Sequence, residues 1–353
     1  MKKFKVGAVG AGHATRTLTI PAFKLVPREL AELKAVCDPN METAQKLSTP
    51  EKINAYSALE EMIEKEKLDV VIINAPMALH ASLAIKAMEM GCDVIIEKPA
   101  VANLNELHEV KAASDKTGQK FTVVHNYKYY EGPQKALELY KSGVIGDVIH
   151  VDRLFLTPPQ GDRMEIDKNG WWHKSKGGRL ADGLPHMLYL PYMFVGPMEL
   201  LAVSARKLSK DRPWSFCDDA NIVLATAKAH VNIILSTNQE SWPYKGYIYH
   251  TIIYGTKLTV LCSHHEANIL WNGPSRIMKV GAQAAIDYVK QKLSRVRVSR
   301  GGHSGFYKAF FDYLNGLGEN PAPFEEIYNV AALTDQIGEK MHQCVVEKKK
   351  IVY

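Results

Sequence analysis

Over roughly the first 125 residues, short apolar runs alternate with segments of helical period. FKVGAV (4–9), LKAVCD (33–38), DVVIINAP (69–76), CDVIIEKP (92–99) and KFTVVHNY (120–127) are apolar almost without a break. Helical stretches are expected near residues 15–31, 59–67, 78–91 and 104–118. A strand that is apolar on both sides must be covered on both sides, which favours a parallel sheet between helical layers. Strict alternation of strand and helix then predicts a doubly wound α/β domain, in which ligands bind beyond the carboxyl ends of the strands. Gly10, Asp38, Pro76, Glu97, Lys98 and Asn126 all fall at such ends and are expected on one rim.

Beyond about residue 145 the pattern changes. Segments 145–156, 198–208, 220–228, 230–238, 247–255 and 256–263 are extended, β-branched and aromatic, with short polar turns between several of them. They predict a large, open, mostly antiparallel sheet. Helices are expected near 132–142, 184–195, 304–317 and 325–347. The predicted organisation is a doubly wound domain over 1–125 and an α+β domain over 126–353.

A chain of 353 residues with 46% apolar content has room for two cores and a cleft between them. The formal charge of +6 is spread among interleaved acids and bases, which suits a phosphate-bearing small ligand better than a nucleic-acid groove. KQKLSRVRVSR (290–300) is the exception and reads as a solvated loop or subunit contact. The amino terminus lacks the apolar stretch of a signal peptide, and no run approaches the ~20 residues that span a bilayer. Five dispersed cysteines (37, 92, 217, 262, 344) fit reduced thiols and a cytoplasmic setting. Cys262, His264 and His265 are faintly metal-like, but no further ligands follow at zinc spacing, so no metal is expected.

The first turn, Gly10 to Thr15, matches two glycines of the dinucleotide fingerprint and replaces the third by Thr15. Thr15 implies either a slightly displaced helix or a hydroxyl near the phosphate. Asp38 closes the next strand, where a carboxylate accepts from ribose hydroxyls and repels a 2′-phosphate, so NAD is expected in preference to NADP. It is also placed to cap its own DPN turn. Glu97 and Lys98 end an apolar strand, and Pro99 restricts the backbone of Lys98, so the ammonium is aimed. A surface ion pair would explain the same two residues. In GGRLADGLPHMLY (177–189), Asp182 and His186 are four apart and share a face if helical. His186 is the natural proton acceptor near neutral pH, and the glycines let backbone run close to a ligand.

These stretches together resemble the Gfo/Idh/MocA (glucose–fructose oxidoreductase/inositol dehydrogenase) oxidoreductases. The carriers are VGAVGAGHA (6–14), INAPMALHASLAIKAMEMGCDVIIEKPA (73–100), GGRLADGLPH (177–186) and IIYGTKLTV (252–260), and the resemblance spans essentially the whole chain. It implies an N-terminal Rossmann domain, and a C-terminal domain whose sheet mediates homodimers or homotetramers. It also implies hydride transfer between NAD(P) and a sugar, inositol or related polyol. By position it makes Lys98, Asp182 and His186 the catalytic candidates, with either Lys98 or His186 as the proton acceptor. Candidate cofactor residues are Gly10, Gly12, His13, Ala14, Asp38, Asn74, Pro76, His80, Glu97, Lys98 and Asn126. Candidate substrate residues are Lys98, Tyr127, Arg153, Trp172, Asp182 and His186. Neither nucleic acid nor membrane is an expected partner. The chain departs from the family at Gly183-Leu184, where glycine is shifted by one place. It departs again at Pro191, expected to kink or stop its helix, and at Trp171-Trp172-His173. Two alternatives remain: an NAD-retaining glycoside hydrolase that oxidises its sugar transiently, and a non-catalytic sugar- or nucleotide-sensing regulator.

Overall fold

The structure, a computed structural model, describes residues 1–158, 167–169, 173, 177–238, 248–270 and 298–348. The chain divides into two compact units, Met1–Tyr129 with Ser294–Ala331, and Tyr130–Leu293 with Ala332–Tyr353.

The first unit is built on parallel strands β1 (Phe4–Val9), β2 (Ala31–Cys37), β3 (Asn54–Tyr56), β4 (Val70–Ile73), β5 (Asp93–Ile96) and β6 (Phe121–Val123). They lie in the order β3-β2-β1-β4-β5-β6, so the winding direction reverses between β1 and β4. The continuous apolar runs explain this layering. Every residue of β4 is buried, as are Val94, Ile95 and Ile96 of β5, so helices cover both faces. These helices include α1 (Ile20–Phe23), α2 (Met41–Glu51), α3 (Leu59–Glu66), α4 (His80–Glu89) and α5 (Leu104–Thr117).

The short edge strand β3 is not among the elements expected from the sequence, and two further details differ. The helix expected to reach residue 31 ends at Phe23 and gives way to a turn closed by the Val26 amide on the Ala22 carbonyl at 3.1 Å. Pro27 has no N–H to offer a further turn and disfavours helical backbone before it. The unexpected helix α2 buries only Ala44 and Ser48, so its apolar period is faint. Its start is set by the Asn40 side chain, which accepts from the Thr43 amide at 3.2 Å.

In the second unit, α6 (Glu131–Lys141) and α7 (Gly178–Val195) accompany a seven-stranded sheet of β7 (Val148–Leu156), β8 (Glu199–Arg206), β9 (Asp219–Ala225), β10 (His230–Ser236), β11 (Ile248–Gly255), β12 (Thr259–Cys262) and β13 (Ala267–Leu270). Its order is β13-β12-β11-β7-β10-β9-β8, antiparallel except for the β7–β10 pair. Along β7 the pleat sends Val151, Arg153 and Phe155 inward and leaves His150 and Asp152 on the more open face.

Helix α7 starts at Gly178, earlier than expected. It runs through both Pro185 and Pro191 to Val195, so Pro191 does not stop it. Each internal proline withholds one helical amide, at a cost of about 3 kcal/mol in an isolated helix. Fourteen of its residues, from Gly178 to Phe194, are buried, and that packing outweighs the local penalty.

Helices α8 (Val298–Leu314) and α9 (Phe324–Val346) follow; α8 and the first turns of α9 belong to the first unit. Phe306, Tyr307, Phe310 and Phe311 are fully buried there. Phe311 stacks on Phe4 with ring centroids 5.5 Å apart, and Phe306 meets Tyr129 edge-on at 5.6 Å. All five cysteines are buried and free. Among the described residues no helix is long and apolar enough to cross a membrane. Residues 290–297 of the basic stretch lie outside the described residues.

Candidate active site

The glycine turn after β1 uses its two glycines differently. Gly10 has φ +90°, and a Cβ there would sit 2.8 Å from the Ala75 nitrogen and from the Asn74 carbonyl. Only glycine lets the ends of β1 and β4 approach so closely. A Cβ on Gly12 would meet nothing within 4 Å, so its backbone faces open space. The Arg16 amide bonds the Gly12 carbonyl at 3.2 Å and opens the helix, with His13 exposed and Ala14 half-buried in its first turn. Bare backbone at the positive end of a helix suits a diphosphate.

Thr15, at the third glycine position, turns its hydroxyl inward rather than toward a phosphate. Fully buried, it donates to the Gly10 carbonyl and accepts from Asn74 Nδ2 at 2.7 Å. The other Asn74 proton goes to Thr19 Oγ1 at 2.9 Å, and Thr19 is bonded to the Tyr307 hydroxyl at 3.1 Å. The helix is widened to π winding over Thr15–Thr19, which makes room for the side chain that replaces glycine.

Asp38 fastens the adjoining loops. Its Oδ2 accepts from the Ala11 amide and its Oδ1 from the Asn40 amide, both at 2.9 Å. Each carboxylate oxygen keeps a further lone pair for a ribose hydroxyl. The Ala11 amide is thereby used, so a phosphate cradle begins at Gly12. Pro76 is exposed at the end of β4. His80 is buried and reaches backbone carbonyls with both ring nitrogens: Ala75 at 2.8 Å, Pro99 at 3.0 Å and Ala100 at 3.2 Å. It therefore ties the β4 loop to the turn after Lys98.

At the end of β5, Glu97 is buried and accepts the Lys98 amide on Oε2 at 2.8 Å, while Lys98 is half-buried. The Lys98–Pro99 peptide is cis. Burial pushes the Glu97 carboxyl upward, but His303 and Lys98 outweigh it and hold it below its ordinary value. His303 Nε2 lies 3.3 Å from Glu97 Oε1, and Asn126 Nδ2 lies 3.3 Å from His303 Nδ1. Beside them, His125 Nδ1 is 2.6 Å from Glu326 Oε1, and Lys128 Nζ reaches both Glu326 oxygens at 2.9 and 2.7 Å. Burial depresses His125 despite its carboxylate partner; Lys128 and His125 together overcome burial at Glu326 and keep it low. Tyr127 is half-buried between these groups in sequence.

In the second unit, Asp182 and His186 both lie on α7, one turn apart on one face. Asp182 is buried with the Arg179 guanidinium 3.7 Å away, and His186 Nδ1 is 2.6 Å from the Tyr189 hydroxyl. Arg153 is buried, its Nη1 3.2 Å from Thr251 Oγ1. Gly177 and Gly178 both have positive φ, but the close approach they permit is to the chain itself. A Cβ would be 2.9 Å from Ala181 Cβ at Gly177 and 3.0 Å from Phe216 Cβ at Gly178. Trp171 and Trp172 lie outside the described residues. His264 is half-buried between Tyr130 and Tyr249, with ring centroids 4.6 and 4.9 Å away, and desolvation followed by Arg153 holds it well below its ordinary value. Burial pushes the Cys262 thiol up to about 12. No group of three or more His, Cys, Asp or Glu able to hold a metal occurs among the described residues.

Sequence reasoning missed His303, Glu326, Tyr307 and Tyr189. The first three join the rim from more than 170 residues away, and nothing local marks them. Tyr189 follows His186 by three, a helical neighbour that the spacing alone points to.

Comparison with known proteins identifies the family and the fold. Residues 4–125 match the oxidoreductase family with NAD-binding Rossmann fold, and residues 134–261 match the GFO/IDH/MocA C-terminal domain. The chain belongs to the Gfo/Idh/MocA oxidoreductase family. Its first unit is that family's NAD-binding Rossmann fold. This Gfo/Idh/MocA oxidoreductase is 24% identical over 339 residues to the uncharacterized oxidoreductase YdgJ of Escherichia coli (strain K12), covering 94% of both. It is also 24% identical over 190 residues to a glycosyl hydrolase family 109 protein of Shewanella pealeana (strain ATCC 700345 / ANG-SQ1), a match spanning 50% of this chain and 40% of that one. Its fold resembles the WlbA dehydrogenase from Bordetella pertussis in complex with NADH and UDP-GlcNAcA, with TM-score 0.73 and 21% identity over 97% of this chain and 96% of that one.

Proposed function

We propose that this Gfo/Idh/MocA oxidoreductase uses NAD to oxidise a hydroxyl, or reduce the matching ketone, of a sugar, inositol or related polyol. The observation that carries the reading is Lys98, which ends β5 on the NAD-binding rim beside a buried Glu97 that hooks its amide at 2.8 Å. When bound, the nicotinamide supplies the hydride acceptor or donor. The amides from Gly12 through Ala14 hold the diphosphate, and Asp38 accepts from the ribose hydroxyls and disfavours a 2′-phosphate. Asn74, Pro76 and Asn126 line the rest of the rim.

Lys98 hydrogen-bonds the reacting oxygen and stabilises developing alkoxide charge. His186 takes the hydroxyl proton or returns it, and Asp182 holds that polar group in place. For His186 to act at Nε2, its Nδ1 must carry the hydrogen and donate it to the Tyr189 oxygen. Tyr127, Arg153 and Trp172 remain candidates for shaping the sugar pocket. WlbA, crystallised with NADH and a sugar nucleotide, supports the substrate class.

A second reading is favoured by the glycosyl hydrolase family 109 relatives: NAD is retained, the sugar is oxidised transiently, the aglycone is eliminated and the product is reduced. One experiment separates the two. Sugars, inositols and aryl glycosides are screened with NAD while NADH absorbance and aglycone release are recorded together. Net NADH from a free polyol supports the dehydrogenase. Aglycone release without net NADH supports the hydrolase, and neither signal across the panel would sink both.

A further inference from the structure

Helix α8 returns to the first unit late in the sequence and touches the cofactor rim with two residues one turn apart. Tyr307 meets Thr19, and through it Asn74, Thr15 and the Gly10 carbonyl. His303 meets Glu97 and Asn126, at the ends of β5 and β6. The polarity of the second set follows from its chemistry. The Asn126 amide can only donate from Nδ2, so His303 Nδ1 accepts and carries no hydrogen. Neutral His303 must then bear its hydrogen on Nε2 and donate it to Glu97 Oε1. Glu97, held on that oxygen, accepts the Lys98 amide on the other.

We propose that His303 is a positioning residue for Lys98, fixing the Glu97 carboxylate that in turn fixes the backbone from which the lysine projects. The inference rests on the reading of Lys98 as the reacting lysine only for its consequence in catalysis; the relay itself is a statement about geometry. Its three links join the ends of two strands to a helix, so the lysine is located by tertiary structure rather than by its own loop. Burial makes the arrangement consequential, because an ionised carboxylate without its donors would be costly there and would seek another rotamer.

Two measurements test it without turnover. In 15N spectra of imidazole-labelled protein, with His303 assigned by its loss in His303→Gln, Nε2 is expected to be protonated and Nδ1 bare. A neutral Nδ1–H form overturns the relay, and this holds even if a more drastic variant fails to fold. In reductively 13C-methylated protein, the Lys98 signal is identified by its absence in Lys98→Arg. His303→Gln offers one donor and one acceptor and should leave that signal in place, whereas His303→Leu should move or split it; an unmoved signal in His303→Leu overturns the proposal. In activity, His303→Leu should lower kcat about 10–100-fold with KM for NAD within about threefold, and His303→Gln should recover most of the loss. Full turnover in Lys98→Ala would remove the proposed chemistry while leaving both spectroscopic results standing.

Discussion

The side-chain amide of Asn74, at the end of β4, donates to the hydroxyl of Thr15 at 2.7 Å, on the helix that leaves the glycine turn. A hydroxyl has replaced the close helix–strand packing that a third glycine provides, and it staples the turn from inside. Thr15→Val keeps the shape and removes the staple, leaving the Gly10 carbonyl and one Asn74 proton unmatched. It should cost about 1–3 kcal/mol in urea unfolding and weaken NAD binding. A variant matching wild type in both would show that the staple is idle.

Asp38 holds the Ala11 amide and caps the Asn40 turn with the same carboxylate that is proposed to meet the ribose. Asp38→Ala should therefore raise the Kd for NAD about 10–100-fold, the worth of charge-assisted hydrogen bonds, and raise that for NADP less. Titration by fluorescence checks the ratio. Equal weakening of both dinucleotides would reduce Asp38 to a loop fastener.

Lys98→Ala and His186→Ala should each lower turnover about 10²–10⁴-fold while NAD binding persists. The pH profile of the surviving activity shows which of the two moves the proton. Turnover at the wild-type rate would take that residue out of the mechanism.

Stability should depend on the buried pair His125 and Glu326 and on the half-buried Lys128 beside them. Glu326 is held below its ordinary 4.5 in the fold, so its contribution is present above that value and lost as pH falls through the lower folded value. His125 is depressed below 6.5, so the unfolded chain takes up its proton first as pH drops, and stability falls in the same direction. The urea midpoint should accordingly decline from about pH 6.5 downward, and Glu326→Gln should flatten the part below about 4.5. Glu326→Ala strands the Lys128 charge and should cost about 3–5 kcal/mol. A midpoint unchanged between pH 7.5 and 5 would contradict the burial of His125.

Much of the molecule followed from local pattern. Apolar runs such as VVII in β4 suit strands covered on both faces, and their alternation with helices favours a parallel sheet with one ligand-bearing rim. Residues that end parallel strands, among them Gly10, Asp38, Asn74 and Lys98, lie on that rim by topology alone. The turn at Asp38 and the cap at Asn40 are likewise contacts within a few residues of their own position.

Tertiary structure decided what no short window contains. An amphipathic aromatic helix such as α8 carries no mark of which core it joins; packing against Phe4 and Tyr129 answers that. The continuation of α7 through two prolines overrides a local preference of about 3 kcal/mol per proline with burial distributed over many neighbours, while the inward turn of Thr15 and the close packing at Gly177 and Gly178 are set by partners distant in sequence. The pairing of His303 with Glu97 across 206 residues is of the same kind: the sequence holds both partners, and only the folded chain makes them neighbours.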